Sequence, residues 1–410
     1  MTYGLDTLHT RIGPGILREN QVRILYVVPM ATVLVALLLT QPSPSWQDAK
    51  EVTRPKIVST LADALSAAEW ERVDQGVAKA LAWLAGQQQP NGAFPTQDRG
   101  QPAVTSLCVM AFLSAGHQPG EGKYGESINR AINFVLECQK PSGLFSYLEP
   151  TNISITWTAN YNHAISGLML CEAYGQTSRD RAGRIKTAVD LALKETSRQQ
   201  HEPPKIDPRD IGGWRYLHTL STSRSDLSLT AWQLMFLRSA KNAQFDIPDE
   251  EKMVTAGLKY IESLFQPQEG VFFYGHSTAD NNNDRYASRG MIGAGVLSLS
   301  LAGKHQTEMA RRAGDWLLAN PFDVYGKTNH GYDRFHYSAY YCSNAAAQLG
   351  GEYWKRLFPT LAKTLLDAQA PNGSWLSEQG GDQIYGACYP TALSVLTLTP
   401  AYQLLPIYQR

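Results

Sequence analysis

The segment KALAWLAGQQQPNGAF (Lys79–Phe94) returns 51 residues later as RAINFVLECQKPSGLF (Arg130–Phe145). The two share, at identical spacing, a basic residue, an alanine, an aromatic, an aliphatic, a glutamine and a closing Gly-x-Phe. AGLKYIESLFQPQEGVF (Ala256–Phe272) repeats the pattern with the glutamine displaced by one. RAGDWLLANP (Arg312–Pro321) keeps the helical half, LLDAQAPNGSW (Leu365–Trp375) the turn half, and DIGGWRY (Asp210–Tyr216) only the turn. The turn glycines read as Gly92, Gly143, Gly213, Gly270, Gly326 and Gly373. Self-similarity at such a period makes each copy one supersecondary unit that cannot bury its apolar face alone.

Each turn is preceded by an amphipathic pattern. Val77, Ala80, Leu81 and Leu84 fall at i, i+3, i+4 and i+7, one face of a helix. Each turn is followed by a helix apolar nearly all round, such as VTSLCVMAFLSAG or GMIGAGVLSLSLAG. A helix of the second kind has to be buried, so it belongs to an inner layer. Six hairpins with inner and outer members predict an all-α fold, an α/α toroid of two concentric rings. Closure covers the ends that an open solenoid would have to cap.

Ahead of the repeats, ILYVVPMATVLVALLL (Ile24–Leu39) is an apolar run of sixteen residues, preceded by Arg11, Arg18 and Arg23. It is short for a spanning helix. The basic flank fits a signal peptide or an anchor with its N-terminus in the cytoplasm. Both put the rest of the chain outside the cytoplasm, exported or membrane-anchored. The expected layout is a basic segment at 1–23, a transmembrane helix or signal h-region at 24–40, a linker with a leading helix at 41–70, and the toroid at 71–410.

Lysine plus arginine equals aspartate plus glutamate at 37 each, so nothing favours nucleic acid as a partner. The five cysteines form no CxxC or Cys/His ligand pair. They read as buried thiols, with one disulfide left open in an exported chain. No metal or cofactor is expected. Twenty tyrosines and nine tryptophans suit an aromatic-lined cavity or a large helical core.

The repeats resemble the Gln-Trp repeats of squalene–hopene and oxidosqualene cyclases, within the superfamily of terpenoid cyclase and protein prenyltransferase α/α toroids. The likeness runs from about Glu71 to the C-terminus and implies the fold. In that family the acid motif Asp-x-Asp-Asp-Thr-Ala opens an inner helix. The matching segment is Asp226-Leu227-Ser228-Leu229-Thr230-Ala231. The proton-donating acid of the motif falls on Ser228, and its last acid on Leu229. A serine hydroxyl cannot protonate an alkene. The zinc set of the prenyltransferase branch and the Gly-Cys-Gly-Glu-Gln thioester of complement-type domains find no match either.

The resemblance implies parallel inner helices whose N-termini gather at one mouth. Asp226 stands there as a catalytic acid or as an N-cap favoured by the helix dipole. His336, near Asp333, stands as a second catalytic candidate. Arg289, with Arg224, Arg285 and Arg334, reads as an anion site or as a solvated arginine. Tyr161, His163, Trp214, Tyr337, Tyr340 and Tyr385 are the candidate ligand-binding residues around an apolar cavity, with core packing as the alternative. The polar loop His276–Tyr286 reads as a surface loop or a calcium site. The expected function is binding of an apolar, isoprenoid or peptide-like ligand without protonation-type cyclase chemistry. An active terpenoid cyclase or prenyl-transferring enzyme, and a polysaccharide lyase-like toroid with a carbohydrate ligand, are the alternatives.

Overall fold

Capping and patterning set the first long helix. A computed structural model describes residues 59–217, 224–276, 284–328, 333–377 and 381–409. After a short turn, α1 (Ser59–Ala62), comes α2 (Ala67–Gln87). Ser66 and Glu69 close a reciprocal capping box at its start, which satisfies two otherwise orphan N–H groups. Val73, Val77, Ala80, Leu81 and Leu84 form its buried face. The remaining outer helices repeat this one-sided design: α4 (Gly125–Glu137), α6 (Arg179–His201), α8 (Glu250–Ser263), α10 (Glu308–Ala319) and α12 (Gly351–Asp367).

Between them run α3 (Ala103–Ser114), α5 (Ala159–Tyr174), α7 (Leu227–Asn242), α9 (Arg289–Leu301), α11 (Phe335–Leu349) and α13 (Cys388–Leu398). Every residue of α3 is buried, and nearly every residue of the other five. They pack in the order α3, α5, α7, α9, α11, α13 and back to α3. That is a closed inner ring. Each outer helix lies on the inner helix before it, and α2 lies on α13. The expected toroid of six hairpins is therefore the observed architecture. A two-stranded hairpin, β1 (Phe265–Gln266) with β2 (Val271–Phe272), tightens the fourth turn with Phe265 opposite Phe272.

The repeat glutamines are ties between neighbouring outer helices. Gln139 Nε2 donates to the carbonyls of Gly143 (3.1 Å) and of Ala188 on α6 (2.7 Å). Gln88 joins Gly92 to Ser127 on α4, and Gln369 joins Gly373 to Gly76 on α2. Gln200 does the same for Gly212 and Met253. The sequence pattern missed this last tie because residues 201–211 separate glutamine from glycine, where the other copies have three. It also placed the third turn glycine one residue late. Gly212 has φ +93°, and Gly213 does not share the left-handed conformation.

The turn glycines touch backbone. Gly143 has φ +97°, and a Cβ there would lie 2.4 Å from the carbonyl oxygen of Leu191. Both strain and clash disfavour any side chain. Gly143→Ala is expected to destabilise the protein by roughly 3 kcal/mol, read as a lower midpoint in urea. An unchanged midpoint would refute the close approach of turn and neighbouring helix.

The C-terminal segment crosses the C-terminal ends of the inner helices, opposite the turns. Tyr408 OH meets Tyr340 OH at 2.7 Å, Gln348 Nε2 donates to Tyr408 O at 2.9 Å, and Ile407 N–H donates to Glu172 Oε2 at 3.3 Å. Ser239 donates its hydroxyl to the other oxygen of Glu172. Burial pushes the Glu172 carboxyl up to about 7, against the pull of those two donors. All five cysteines are free and buried. The segments expected at 1–23 and 24–40 lie outside the described residues. Among the described residues no helix is long and apolar enough to cross a membrane.

Candidate functional site

The inner helices converge at their N-terminal ends on a cavity of about 320 Å³. All six contribute side chains from their first two turns. These include Val104 and Leu107 of α3, Tyr161 and Ile165 of α5, Ser228 and Trp232 of α7, Met291 of α9, Tyr337 of α11, and Tyr389 and Leu393 of α13. The turns before them add Tyr216, Tyr274, Tyr286 and Tyr385. Seven tyrosines and a tryptophan thus dominate the wall.

The hydroxyls of this wall are largely spent on one another. Ser228 Oγ lies 2.8 Å from Tyr161 OH and 2.6 Å from Tyr337 OH. Tyr216 OH meets Tyr274 OH at 2.5 Å. Asn162 donates to the Arg99 carbonyl at 2.9 Å, and Ser338 donates to Asp333 at 2.5 Å. Burial raises the tyrosines 161, 216, 274, 286 and 337, so they stay neutral. What remains toward the cavity is mostly aromatic face and aliphatic surface. Among the described residues one carboxylate reaches the wall, Asp382, 3.9 Å from the guanidinium of Arg334.

Asp226 sits behind Ser228 rather than on the wall. Its backbone is extended, and its Oδ1 accepts the Leu229 N–H at 2.8 Å, an N-cap for α7. Its Oδ2 lies 3.5 Å from Arg215 Nη1. Burial pushes the carboxyl up to about 6, with Arg215 opposing. Arg215 also pairs with Asp284 at 3.1 Å and lies over the rings of Tyr216 and Tyr274. Arg224 holds the same Asp284 oxygen at 3.2 Å. This charge-balanced cluster braces the tyrosine wall from behind. It also takes up Asp284 of the polar loop, whose residues 277–283 lie outside the described residues.

Of the sequence candidates, Tyr161, Tyr337 and Tyr385 line the cavity together. Four other ligand candidates are structural, each for a physical reason. His163 is fully buried: its Nδ1 accepts the Phe145 N–H at 3.3 Å and its Nε2 meets Thr196 Oγ1 at 3.0 Å. It fills the place that Thr105, Thr230 and Thr391 take in other repeats, where they accept the N–H of the turn aromatic. Burial depresses it to about 4. Trp214 is fully buried and donates its indole N–H to Thr196 O at 2.9 Å. Tyr340 stacks on Trp232 behind the wall, 5.5 Å between centroids.

Arg289, a candidate for an anion site, lies off the cavity wall. Its side chain is 1% exposed, pairs with Asp333 at 2.8 Å, and donates to the carbonyls of Pro321 and Lys327. It clamps the fifth turn from a site closed to solvent. His336, the second catalytic candidate, is buried off the wall with its Nε2 3.1 Å from Tyr325 OH.

Sequence reasoning missed Tyr216, Tyr274, Tyr286 and Asp382. A signal for two of them was present. Trp214-x-Tyr216 and Phe272-x-Tyr274 place a tyrosine two residues after the turn aromatic. An extended strand sends alternate residues to opposite sides, so a buried turn aromatic aims the next-but-one residue the same way.

Large hydrophobic side chains are also exposed outside the cavity. Tyr147, Ile153, Trp157, Ile206, Ile211, Val324 and Leu376 are exposed on loops leading into inner helices. Leu191 on α6 is the only other large hydrophobic side chain so exposed among the described residues. Trp157 meets the wall residue Tyr216 edge to face, 4.7 Å between centroids.

Comparison with known proteins places this architecture. No protein-family profile matches the chain. Drimenyl diphosphate synthase of Streptomyces showdoensis is 25% identical over 224 residues, 53% of this chain and 37% of that protein. The match thus spans little more than a third of that relative's length. Among solved structures, type II terpene cyclase MstE from Scytonema, in complex with merosterolic acid A, superposes with a TM-score of 0.55 at 14% identity. It covers 83% of this chain and 100% of its own. The α-1,6-mannanase GH76A of Salegentibacter sp. HEL1_6, in complex with α-1,6-mannotriose, reaches 0.57 at 12% identity, over 81% and 99%. The chain has the α/α toroid fold that these cyclase and mannanase structures share.

Proposed function

We propose that this toroid binds an uncharged isoprenoid or comparable apolar ligand in its tyrosine-lined cavity, without protonation-type cyclase chemistry. One observation carries the reading. The wall hydroxyls bond to each other, with Ser228 tied between Tyr161 and Tyr337 where the cyclase motif has its proton donor. A cavity of about 320 Å³ falls within the roughly 300–1,000 Å³ of small-molecule sites. An apolar ligand gains from aromatic contact there and leaves no new polar group unpaired. Exposed Trp157, edge to face with the wall residue Tyr216, extends the aromatic surface outward.

The other readings fare less well against the same wall. A sugar or a peptide needs several free, convergent polar groups. Glycoside hydrolysis needs two carboxyl groups flanking one bond, and the described wall carries Asp382 alone. Asp226, capping a helix and turned to Arg215, does not reach a bound alkene. We also read the chain as exported or held at a membrane through Ile24–Leu39, on the sequence alone.

The test is titration of the purified protein with farnesol, squalene and mannotriose, followed by tryptophan fluorescence and by product analysis. Trp232 lines the cavity, so a prenyl ligand should perturb emission, with no conversion. Trp232→Leu should weaken prenyl binding at least tenfold. Cyclised product that vanishes in Asp226→Asn or Asp382→Asn, or cleavage of mannotriose, would overturn the reading.

A further inference from the structure

A second opening lies at the other end of the ring. Beneath α8, between the C-terminal halves of α7 and α9, is a crevice of about 570 Å³. Leu234, Val254, Leu258 and Leu301 form its apolar sides. Ser298 and Ser300 border it too, but donate their hydroxyls to their own helix, to the Ala294 and Val296 carbonyls. His305 also lines it; the permanently charged group left over is Arg238. Its Nε is buried without a hydrogen-bond acceptor, and no carboxylate among the described residues pairs with it. The nearest charges on the same walls, Lys241 and Glu250, neutralise each other at 2.6 Å.

A buried Nε without an acceptor beside an apolar slot is costly when the slot is empty. A buried donor without an acceptor forfeits about 1–3 kcal/mol. The complementary ligand carries one negative charge and a hydrocarbon tail. A planar carboxylate matches the guanidinium fork. A dianion would place excess charge beside Glu250.

We propose that this crevice is a second ligand site that takes a fatty carboxylate. Its head group accepts from Arg238, and its acyl chain lies along Leu234, Val254, Leu258 and Leu301. The site is separate from the tyrosine cavity and stands whether or not that cavity binds isoprenoids.

Calorimetric titration of the full chain with sodium decanoate, below its micellar range, tests this. Wild type should bind at one site. Arg238→Gln should weaken decanoate at least tenfold, while Arg238→Lys, which keeps the charge, should retain most of the affinity. Leu301→Trp, which fills the crevice, should also abolish binding with the thermal transition preserved. 1-Decanol, with the same chain and no charge, should bind wild type at least tenfold more weakly than decanoate. Equal decanoate binding by wild type and Arg238→Gln, decanol as tight as decanoate, or no heat with wild type would each overturn the proposal. So would decanoate binding lost in Ser228→Phe but kept in Arg238→Gln, which would put the ligand in the tyrosine cavity.

Discussion

Arg289→Leu is expected to cost about 3–5 kcal/mol, because it strands Asp333 as a buried charge without its main partner. The pair is almost fully enclosed, with side-chain exposures of 1% and 0%. Arg289 also takes the Pro321 and Lys327 carbonyls and stacks on Phe322 at 4.0 Å. Its loss therefore releases the fifth turn as well as the charge. Against a total stability of about 5–15 kcal/mol, this is a large fraction. Removing both partners, as Arg289→Leu with Asp333→Leu, should recover much of the loss, because the desolvation cost of both ions disappears together. Denaturant midpoints of the two variants decide the matter. If the single variant matches wild type, the ion pair is not what holds the turn.

Glu172→Gln should have an effect of comparable size and opposite sign, visible only above mild acidity. The folded carboxyl is held near 7, above its unfolded value. Folding therefore favours the protonated form. The contribution of Glu172 is fully present below about pH 4.5, falls as pH rises, and levels off above about pH 7. Across that window the cost is about 3 kcal/mol. Glutamine keeps an acceptor for Ile407 N–H and offers an amide to Ser239, but never ionises. The variant should match wild type at pH 4 and exceed it by about 3 kcal/mol at pH 8. Asp210 and Asp226, both raised by burial to about 6, push wild type the same way. His163, depressed to about 4, pushes the other way, its share being lost as pH falls from about 6.5 to 4. The difference between variant and wild type removes these shared contributions. A difference that does not grow with pH would mean that Glu172 is not strained by burial.

The ring was legible because its signals are local and repeated. Gly-x-Phe after an amphipathic helix, then a helix with no polar face, can be read in any one copy and checked in the next. The position of Asp226 at the head of α7 was legible for the same reason. Direction was harder. His336 and Tyr337 are adjacent, yet one turns toward Tyr325 and the other lines the cavity. Consecutive helical residues point about 100° apart, and pattern alone does not say which faces the bore. Arg289 looked free for the complementary reason. Its partner Asp333 is 44 residues away, on a different turn. His163 was hidden by substitution. It does the work of a threonine, which becomes visible only when the four turn N–H bonds are laid side by side.

The seam where α12 meets α1 and α2 bears on how such a chain is made. Gln369 bonds to Gly76, Trp354 to the Leu61 carbonyl, and Arg72 to Asp367. The first outer helix emerging from the ribosome is tied early to α4 through Gln88 and Ser127, but finds α12 only after nearly 300 more residues are translated. Until then the face it turns to α12 and α13 has no partner, which is when non-local folds are most exposed to aggregation. The same geometry makes the order of hairpins a matter of synthesis rather than of architecture. A version joined across the seam and opened between α8 and α9 would contain the same ring, with a different helix left waiting.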